Sequence, residues 1–258
     1  MNNLGKTIGG TQSVERALDL LRLLASHHDT GLSLPNLIAA TSLKRPTVYR
    51  LVSILVHTGF LQRDIKKRYR LGIESMQLGL AAMSRAPLLE KCLPALQTIT
   101  RHTEDTVYLV VRNGDYSHCL HREEGTFPIK TFTAFVGSMR LLGLGTGSQA
   151  LLATLSDGEV GALYRRHEEE YVRHAMSLLR LQETIRRTRH SGYAETEDLI
   201  TLGVCAVGKA FAVTPGTYAA ISVAAIKSRM ALPRRKWIAD VVATTLRDIG
   251  FSAVSWKN

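Results

Sequence analysis

Two short runs of apolar residues at helical spacing lie close together near the start of the chain. We predict a first helix after Ser33, where a serine N-cap is followed by Pro35 at a position that needs no backbone N–H. Thr41-Ser42 interrupts the pattern, and a second helix begins near Arg45-Pro46 and stops before Gly59. The inward residues of the two helices are Leu34, Leu37 and Ile38, then Val48, Leu51, Val52 and Leu55.

The outward face of the second helix is basic and polar over its first turns. It carries Lys44, Arg45, Thr47, Tyr49 and Arg50. This is where the recognition helix of a helix-turn-helix presents side chains to base edges and phosphates. The pattern therefore predicts that these five residues bind DNA.

A basic hairpin is predicted directly after this helix. Residues 60–71 read as two short strands joined by a charged turn, and 5 of these 12 residues are Lys or Arg. Lys66, Lys67 and Arg68 are the turn residues that we predict to contact DNA. An ordinary three-helix core with a solvated basic loop is the alternative interpretation, because helix-turn-helix patterns give false positives.

Amphipathic patterns extend the prediction on both sides of this region. We predict an N-terminal helix at residues 14–27 that packs against the helix-turn-helix and completes the winged domain. Residues 72–84 are predicted to form a linker helix. Its apolar stripe, which suits pairing with a second copy of the chain, consists of Ile73, Met76, Leu80 and Met83. After Pro87, strands are predicted at 106–112, 116–123, 129–136, 204–213 and 218–226, with helices at 87–102, 143–155, 177–190 and 233–249. We expect an α+β fold with an antiparallel sheet in this half.

Composition indicates where the charge lies along the chain and in which cellular compartment the protein is expected. Residues 1–85 hold 12 Lys and Arg against 5 Asp and Glu, so most of the net charge of +11 lies in the first third of the chain. The 3 cysteines are too few for a disulfide framework, and no apolar run or signal peptide indicates a membrane partner. We predict a cytoplasmic protein with a mobile arm at 1–10, a winged helix-turn-helix domain at 11–72, a linker helix at 73–86 and an α+β domain at 87–258.

The chain resembles the IclR family of bacterial transcriptional regulators over about Gln12 to Phe251. The resemblance is carried by SVERALDLL (13–21), GLSL (31–34), TVYRL (47–51), GFL (59–61), YRLG (69–72), GS (137–138), ALLA (150–153), GYA (192–194) and AAISV (219–223). It implies a winged domain, a linker helix, a GAF-like effector domain, and a homodimer that often pairs into a homotetramer. It also implies an effector pocket formed by Ile129, Arg140, Thr146, Gly147, Thr196, Val204, Ala206, Ser222 and Ala224.

The chain departs from the family pattern in both halves. Ser42 stands where the family usually has a turn glycine, and serine tolerates a tight turn less well. In the second half Ala206 occupies the usual cysteine position, and Cys205 lies one residue earlier. The differences in the second half bear on the ligand class rather than on the architecture.

The loop GLGTGS (143–148) enters a helix and has three interpretations. It could bind an anion as the wall of an effector pocket, form a structural glycine turn, or bind a nucleotide, although the βαβ unit that nucleotide binding requires is not evident. Arg140 suits a carboxylate, and a solvent-facing arginine is the alternative. We therefore expect a small organic acid, either aromatic or short and aliphatic, as effector.

Other chemistry is not indicated. His118, Cys119 and His121 invite a metal interpretation, but Cys119 and His121 sharing one strand face would make only half of a zinc site. We predict no metal and no cofactor. An enzyme with an incidental basic N-terminal third is the competing class, and it would require catalytic pairs near the glycine-rich loop that the sequence does not show.

Overall fold

The computed structural model describes residues 11–27, 30–83 and 87–256. The predicted arm at 1–10 lies outside the described residues. The chain divides between residues 86 and 87 into two compact units. Among the described residues, no helix is long and apolar enough to span a membrane.

The N-terminal unit is a helix-turn-helix followed by a two-stranded hairpin. In the described residues it consists of α1 (Gln12–Ser26), α2 (Leu34–Thr41), α3 (Arg45–His57), β1 (Leu61–Arg63), β2 (Tyr69–Leu71) and α4 (Ile73–Met83). The Ser33 side chain accepts from the Asn36 N–H at 3.5 Å, so the predicted N-cap is confirmed. The apolar stripes of the first three helices and the hairpin meet in one small core that includes Leu20, Leu37 and Val48.

The turn between α2 and α3 contains a strained serine. Ser42 has φ +54°, in the left-handed region where glycine is favoured. The position that departs from the family pattern therefore keeps the backbone conformation of a turn glycine, at a cost in free energy.

The C-terminal unit is built on one antiparallel sheet. Its strands are β3 (Thr106–Asn113), β4 (Tyr116–Glu123), β5 (Met139–Leu141), β6 (Ala194–Glu197), β7 (Val204–Thr214) and β8 (Thr217–Ile226), in the spatial order β5-β4-β3-β8-β7-β6. The neighbouring strands of this sheet pair in antiparallel fashion. The α+β class with an antiparallel sheet is confirmed.

Helices cover both faces of this sheet. They are α5 (Pro87–Thr103), α6 (Thr146–Leu152), α7 (Asp157–Arg166), α8 (Glu168–Arg173), α9 (Leu178–Ser191) and α10 (Leu232–Asp248). Helices α5 and α10 pack on one face around Leu109, Phe211 and Ile221, and α6, α7 and α9 contribute to a second core on the other side. On the face that carries α6, a pocket remains between the start of this helix and the middle of the sheet.

The prediction of a strand at 129–136 is wrong. Residues 124–138 form an irregular loop, and the strand that follows is the short β5. The Tyr108 hydroxyl donates to the Thr131 carbonyl at 2.5 Å, and the Thr131 hydroxyl donates to the Ala224 carbonyl at 2.8 Å. These tertiary bonds hold the loop across the sheet instead of beside β4.

The charged run Arg165–Glu170 takes part in an ion-pair network. Asp115, in the β3–β4 turn, accepts from Arg166 at 2.8 and 3.0 Å and lies 2.8 Å from His167 Nε2. Burial raises the pKa of Asp115, but the hydrogen bonds from Arg166 and His167 outweigh burial and leave the pKa below its ordinary value. The network ties α7 to the β3–β4 turn.

Candidate functional site

The exposed side of α3 carries the residues that the sequence assigns to DNA. Lys44, Arg45, Tyr49 and Arg50 are exposed, and Thr47 is half-buried. Tyr49 is 60% exposed beside these basic residues. Val48 and Leu51 face the core on the opposite side, so burial of the apolar stripe fixes the basic face outward.

The hairpin presents a second basic surface in the same unit. Lys66, Lys67 and Arg68 are exposed in the turn between β1 and β2. Arg63, which sequence reasoning omitted, is exposed on β1, with its guanidinium carbon 5.6 Å from the centre of the Tyr69 ring. Its position at the end of the first strand of a basic hairpin is the signal that could have found it.

A cavity of about 60 Å³ lies in the C-terminal unit between the sheet and the start of α6. Of the nine predicted pocket residues, eight line it: Arg140, Thr146, Gly147, Thr196, Val204, Ala206, Ser222 and Ala224. The structure thus brings together side chains from β5, α6, β6, β7 and β8.

Ile129 is the exception, and its assignment to the pocket needs correction. Its side chain is 57% exposed and does not line the cavity. It lies in the loop that replaces the predicted strand, before the point where Thr131 and Thr133 tie this loop to Tyr108.

The floor of the cavity is a small apolar cluster that sequence reasoning largely missed. Tyr108 and Cys119 join Ala206 and Ala224 there, all of them buried. Burial raises the pKa of the Cys119 thiol to about 11, so the thiol is neutral and packs as an apolar group. Strand alternation from Val110 on β3 could have identified Tyr108 as a residue of the same face.

Glycines allow α6 to approach the sheet closely. A Cβ at Gly147 would lie 2.6 Å from Val110 Cγ2 and 3.4 Å from Ser222 Oγ. Gly145 has φ +144°, which L side chains rarely adopt. The loop therefore has a structural need for glycine as well as forming a pocket wall. Since every pairing described for this sheet is antiparallel, the βαβ unit needed for the nucleotide interpretation is missing from it.

Two hydroxyl groups close one side of the cavity. Thr146 Oγ1 lies 2.6 Å from Thr196 Oγ1, which links α6 to β6. The loop between β6 and β7 adds Leu199, Ile200 and Thr201 to the lining. The irregular loop before β5 supplies Thr133, Ala134 and Ser138.

Arg140 is the charged side chain of this cavity. Its guanidinium donates to the Thr133 carbonyl, and its Nη1 lies near Gly145 at the start of α6. Burial lowers the pKa of Arg140, and within the described part of the chain no carboxylate forms an ion pair with it. The cavity therefore holds a positive charge that lacks a protein anion, which disfavours the solvent-facing alternative.

The His118–His121 segment does not form half of a zinc site. A bulge leaves Leu120 without a partner on β3, because Leu109 pairs with His121 and Val110 pairs with Cys119. Cys119 lies on the cavity face, whereas the partner of His121, Leu109, belongs to the core on the other face. The expectation that Cys119 and His121 share a face is wrong. No cluster of three or more metal-ligating side chains occurs among the described residues.

Comparisons with known proteins agree with this architecture. Residues 13–64 match the family model of the IclR helix-turn-helix domain, and residues 80–251 match that of the bacterial transcriptional regulator IclR C-terminal domain. The chain belongs to the IclR family of bacterial transcriptional regulators. The resemblance stated from sequence is confirmed, and the matched families and relatives are DNA-binding regulators rather than enzymes.

Individual IclR-family relatives are distant in sequence. The HTH-type transcriptional regulator BhcR of Paracoccus denitrificans is 28% identical over 97% of this chain and 90% of its own length. KipR of Bacillus subtilis is also 28% identical, but that match spans 65% of this chain and 64% of KipR. The crystal structure of an IclR family regulator from Brucella abortus superposes with a TM-score of 0.78 at 20% identity, covering 96% of this chain and 95% of that one, which shows the shared fold.

Proposed function

We propose that this IclR-family regulator binds an operator through α3 and the β1–β2 hairpin and releases or tightens that binding when a short organic acid occupies the C-terminal cavity. The observation that carries the ligand class is Arg140, a half-buried cation without a protein carboxylate in a small cavity lined by apolar and hydroxyl side chains. Because the protein would bind duplex DNA, the proposal includes a cytoplasmic location.

The charge and size of the cavity support an acid with a short carbon skeleton. A guanidinium pairs with a carboxylate through two parallel hydrogen bonds, and such charge-assisted bonds are the stronger ones. The cavity is small, at about 60 Å³. This volume favours a short aliphatic carboxylate over the aromatic acid that the sequence left open.

Exposed apolar surface on the N-terminal unit supports the proposal that the protein associates with further copies of itself. An apolar groove runs between α1 and the C-terminal half of α3, with Val14, Leu18 and Ile54 exposed along it. Ile73 and Met76 on α4 are each 54% exposed, whereas the side chains of Leu80 and Met83 lie outside the described residues. Surface of this kind marks interaction sites, and a homodimer, or a homotetramer assembled from it, would cover it.

The DNA interface is tested by titration at several salt concentrations, with DNA that the unmodified protein selects from a random duplex library. We expect Arg50→Ala to weaken binding by about 1–3 kcal/mol if its guanidinium meets a base edge. Lys66→Ala should weaken binding to all sequences and reduce the salt slope by about 1, since it removes one phosphate contact. Arg22→Ala is the matched control, because Arg22 is an exposed residue of α1 paired with Asp19.

The ligand class is tested by calorimetry with two- to six-carbon carboxylic acids and their neutral amides. We expect at least one acid to bind while its amide does not. Binding of an amide or an amine in preference to every acid would refute the carboxylate assignment without affecting the DNA interface.

A further inference from the structure

The tip of the β1–β2 hairpin exposes an apolar side chain among basic ones. Ile65 is 99% exposed, and its neighbours Lys66 and Lys67 are exposed as well. A single exposed apolar residue needs no explanation by itself. Ile65, however, lies in the turn between β1 and β2, at the tip of the hairpin that we propose to contact DNA.

The backbone around Ile65 is held in a tight turn. The Lys67 N–H donates to the Asp64 carbonyl at 3.0 Å, which makes Ile65 and Lys66 the two central residues of the turn. The Asp64 N–H donates to the Arg68 carbonyl at 2.8 Å, and the Arg68 N–H donates to Asp64 Oδ1 at 2.9 Å. Lys67 closes the loop with φ +59°. The turn is therefore ordered by the protein's own hydrogen bonds.

The hairpin is also fastened to the body of its unit. The Arg68 guanidinium donates to the Thr30 carbonyl at 2.9 Å, and Tyr69 exchanges backbone hydrogen bonds with Leu32 at 2.8 and 3.1 Å. Tyr69 itself is buried in the core. A group presented on a fixed support loses little conformational freedom on binding, so Ile65 is preorganised to meet a surface.

The chemistry of that surface follows from the position of the hairpin. A recognition helix lies in the major groove, and the groove reached by crossing one phosphate strand from there is the minor groove, about 6 Å wide. Proteins that enter the minor groove insert apolar side chains such as isoleucine, and the cost depends on groove width and on how easily the base step deforms. The neighbouring Lys66 and Lys67 would meet phosphates.

We propose that Ile65 enters the minor groove next to the site of α3 and selects flanking base pairs by groove width and deformability. This inference rests on the proposed DNA interface, because it needs α3 and the hairpin to contact the same duplex. It assigns the basic residues of the turn to affinity and Ile65 to sequence preference.

The test compares the DNA sequences selected from one random duplex library by the unmodified full-length protein and by its Ile65→Ala and Lys66→Ala variants. Alanine fits the same turn position, so the turn should persist. We expect Ile65→Ala to lose preference at the flanking positions, to bind the originally selected DNA about three- to tenfold more weakly, and to keep the salt slope, because no charge is lost. Lys66→Ala should keep the flanking preference and reduce the salt slope.

The outcomes separate this inference from the proposed function. Unchanged flanking preference and affinity in Ile65→Ala, together with a reduced salt slope in Lys66→Ala, would overturn the role of Ile65 and leave the interface intact. If neither variant changes anything, the hairpin does not contact DNA. If the unmodified protein enriches no sequence, the proposed function fails and this inference with it.

Discussion

Replacing Arg140 by glutamine tests how the cavity recognises its ligand. The change removes the charge and leaves a shorter, uncharged polar side chain, and it gives up the guanidinium bond to the Thr133 carbonyl. A hydrogen bond to a charged group contributes about 1.5–3 kcal/mol. Its loss should therefore weaken binding of a short carboxylate roughly 10- to 150-fold.

The assay is isothermal titration of the acid that binds the unmodified protein. Arg122→Gln is the matched control, because Arg122 lies on the neighbouring strand β4 and pairs with Glu124 instead of lining the cavity. Arg140 belongs to the C-terminal unit, so ligand-free DNA affinity should be unchanged in Arg140→Gln. Equal ligand affinity in Arg140→Gln and in the unmodified protein would refute the carboxylate clamp.

Three further substitutions test the local physics. Ser42→Gly should raise the free energy of unfolding of the N-terminal unit by about 0.5–1 kcal/mol, because relief of the left-handed strain exceeds the entropy cost of glycine. Urea titration measures this free energy, and no gain would mean that the turn is unstrained. Gly147→Ala should destabilise the C-terminal unit by about 1–3 kcal/mol, since the new Cβ meets Val110, and should also reduce acid binding by calorimetry. The lowered pKa of Asp115 contributes stability that is present above its ordinary value of 3.8 and is lost as pH falls through the folded pKa. Asp115→Asn should therefore lower the melting temperature at pH 7 and flatten its decline below about pH 4, and an unchanged acid profile would argue against this network.

Local signals explain why the N-terminal unit could be predicted closely. The Ser33 cap, the proline at the start of α3 and the period of the apolar residues act within a few residues of each other. A tight turn that begins at Asp64 likewise joins the two strands of the hairpin. None of these features depends on distant parts of the chain.

The C-terminal unit shows where such reasoning ends. Residues 129–136 are rich in strand-forming types, yet Thr131 bonds to Ala224, 93 residues away, and the segment becomes a loop over the cavity. The bulge at Leu120 reverses the face of His121, and strand alternation alone does not reveal it. The short strands β5 and β6 and the helices α7 and α8 were not predicted either.

The cavity was predictable mainly through the family resemblance. The glycine-rich loop that contains Gly147 suggests an anion site, but Ser222 has no local pattern that indicates a ligand, and the two become neighbours only when α6 packs on the sheet. Arg140 could be singled out as a candidate carboxylate partner from its residue type. Its half-buried position in the cavity, without an acidic partner, required the structure.

The most direct test of the account measures DNA affinity with and without the bound acid. A labelled duplex carrying the selected sequence is titrated with protein by fluorescence anisotropy, at zero and at saturating concentration of the acid found by calorimetry, with its amide as control. We predict that the acid shifts the DNA dissociation constant by about 5- to 150-fold, corresponding to the usual coupling of about 1–3 kcal/mol, and that Arg140→Gln abolishes the shift at the same acid concentration. Identical DNA dissociation constants with and without saturating acid would contradict the claim that the cavity regulates DNA binding.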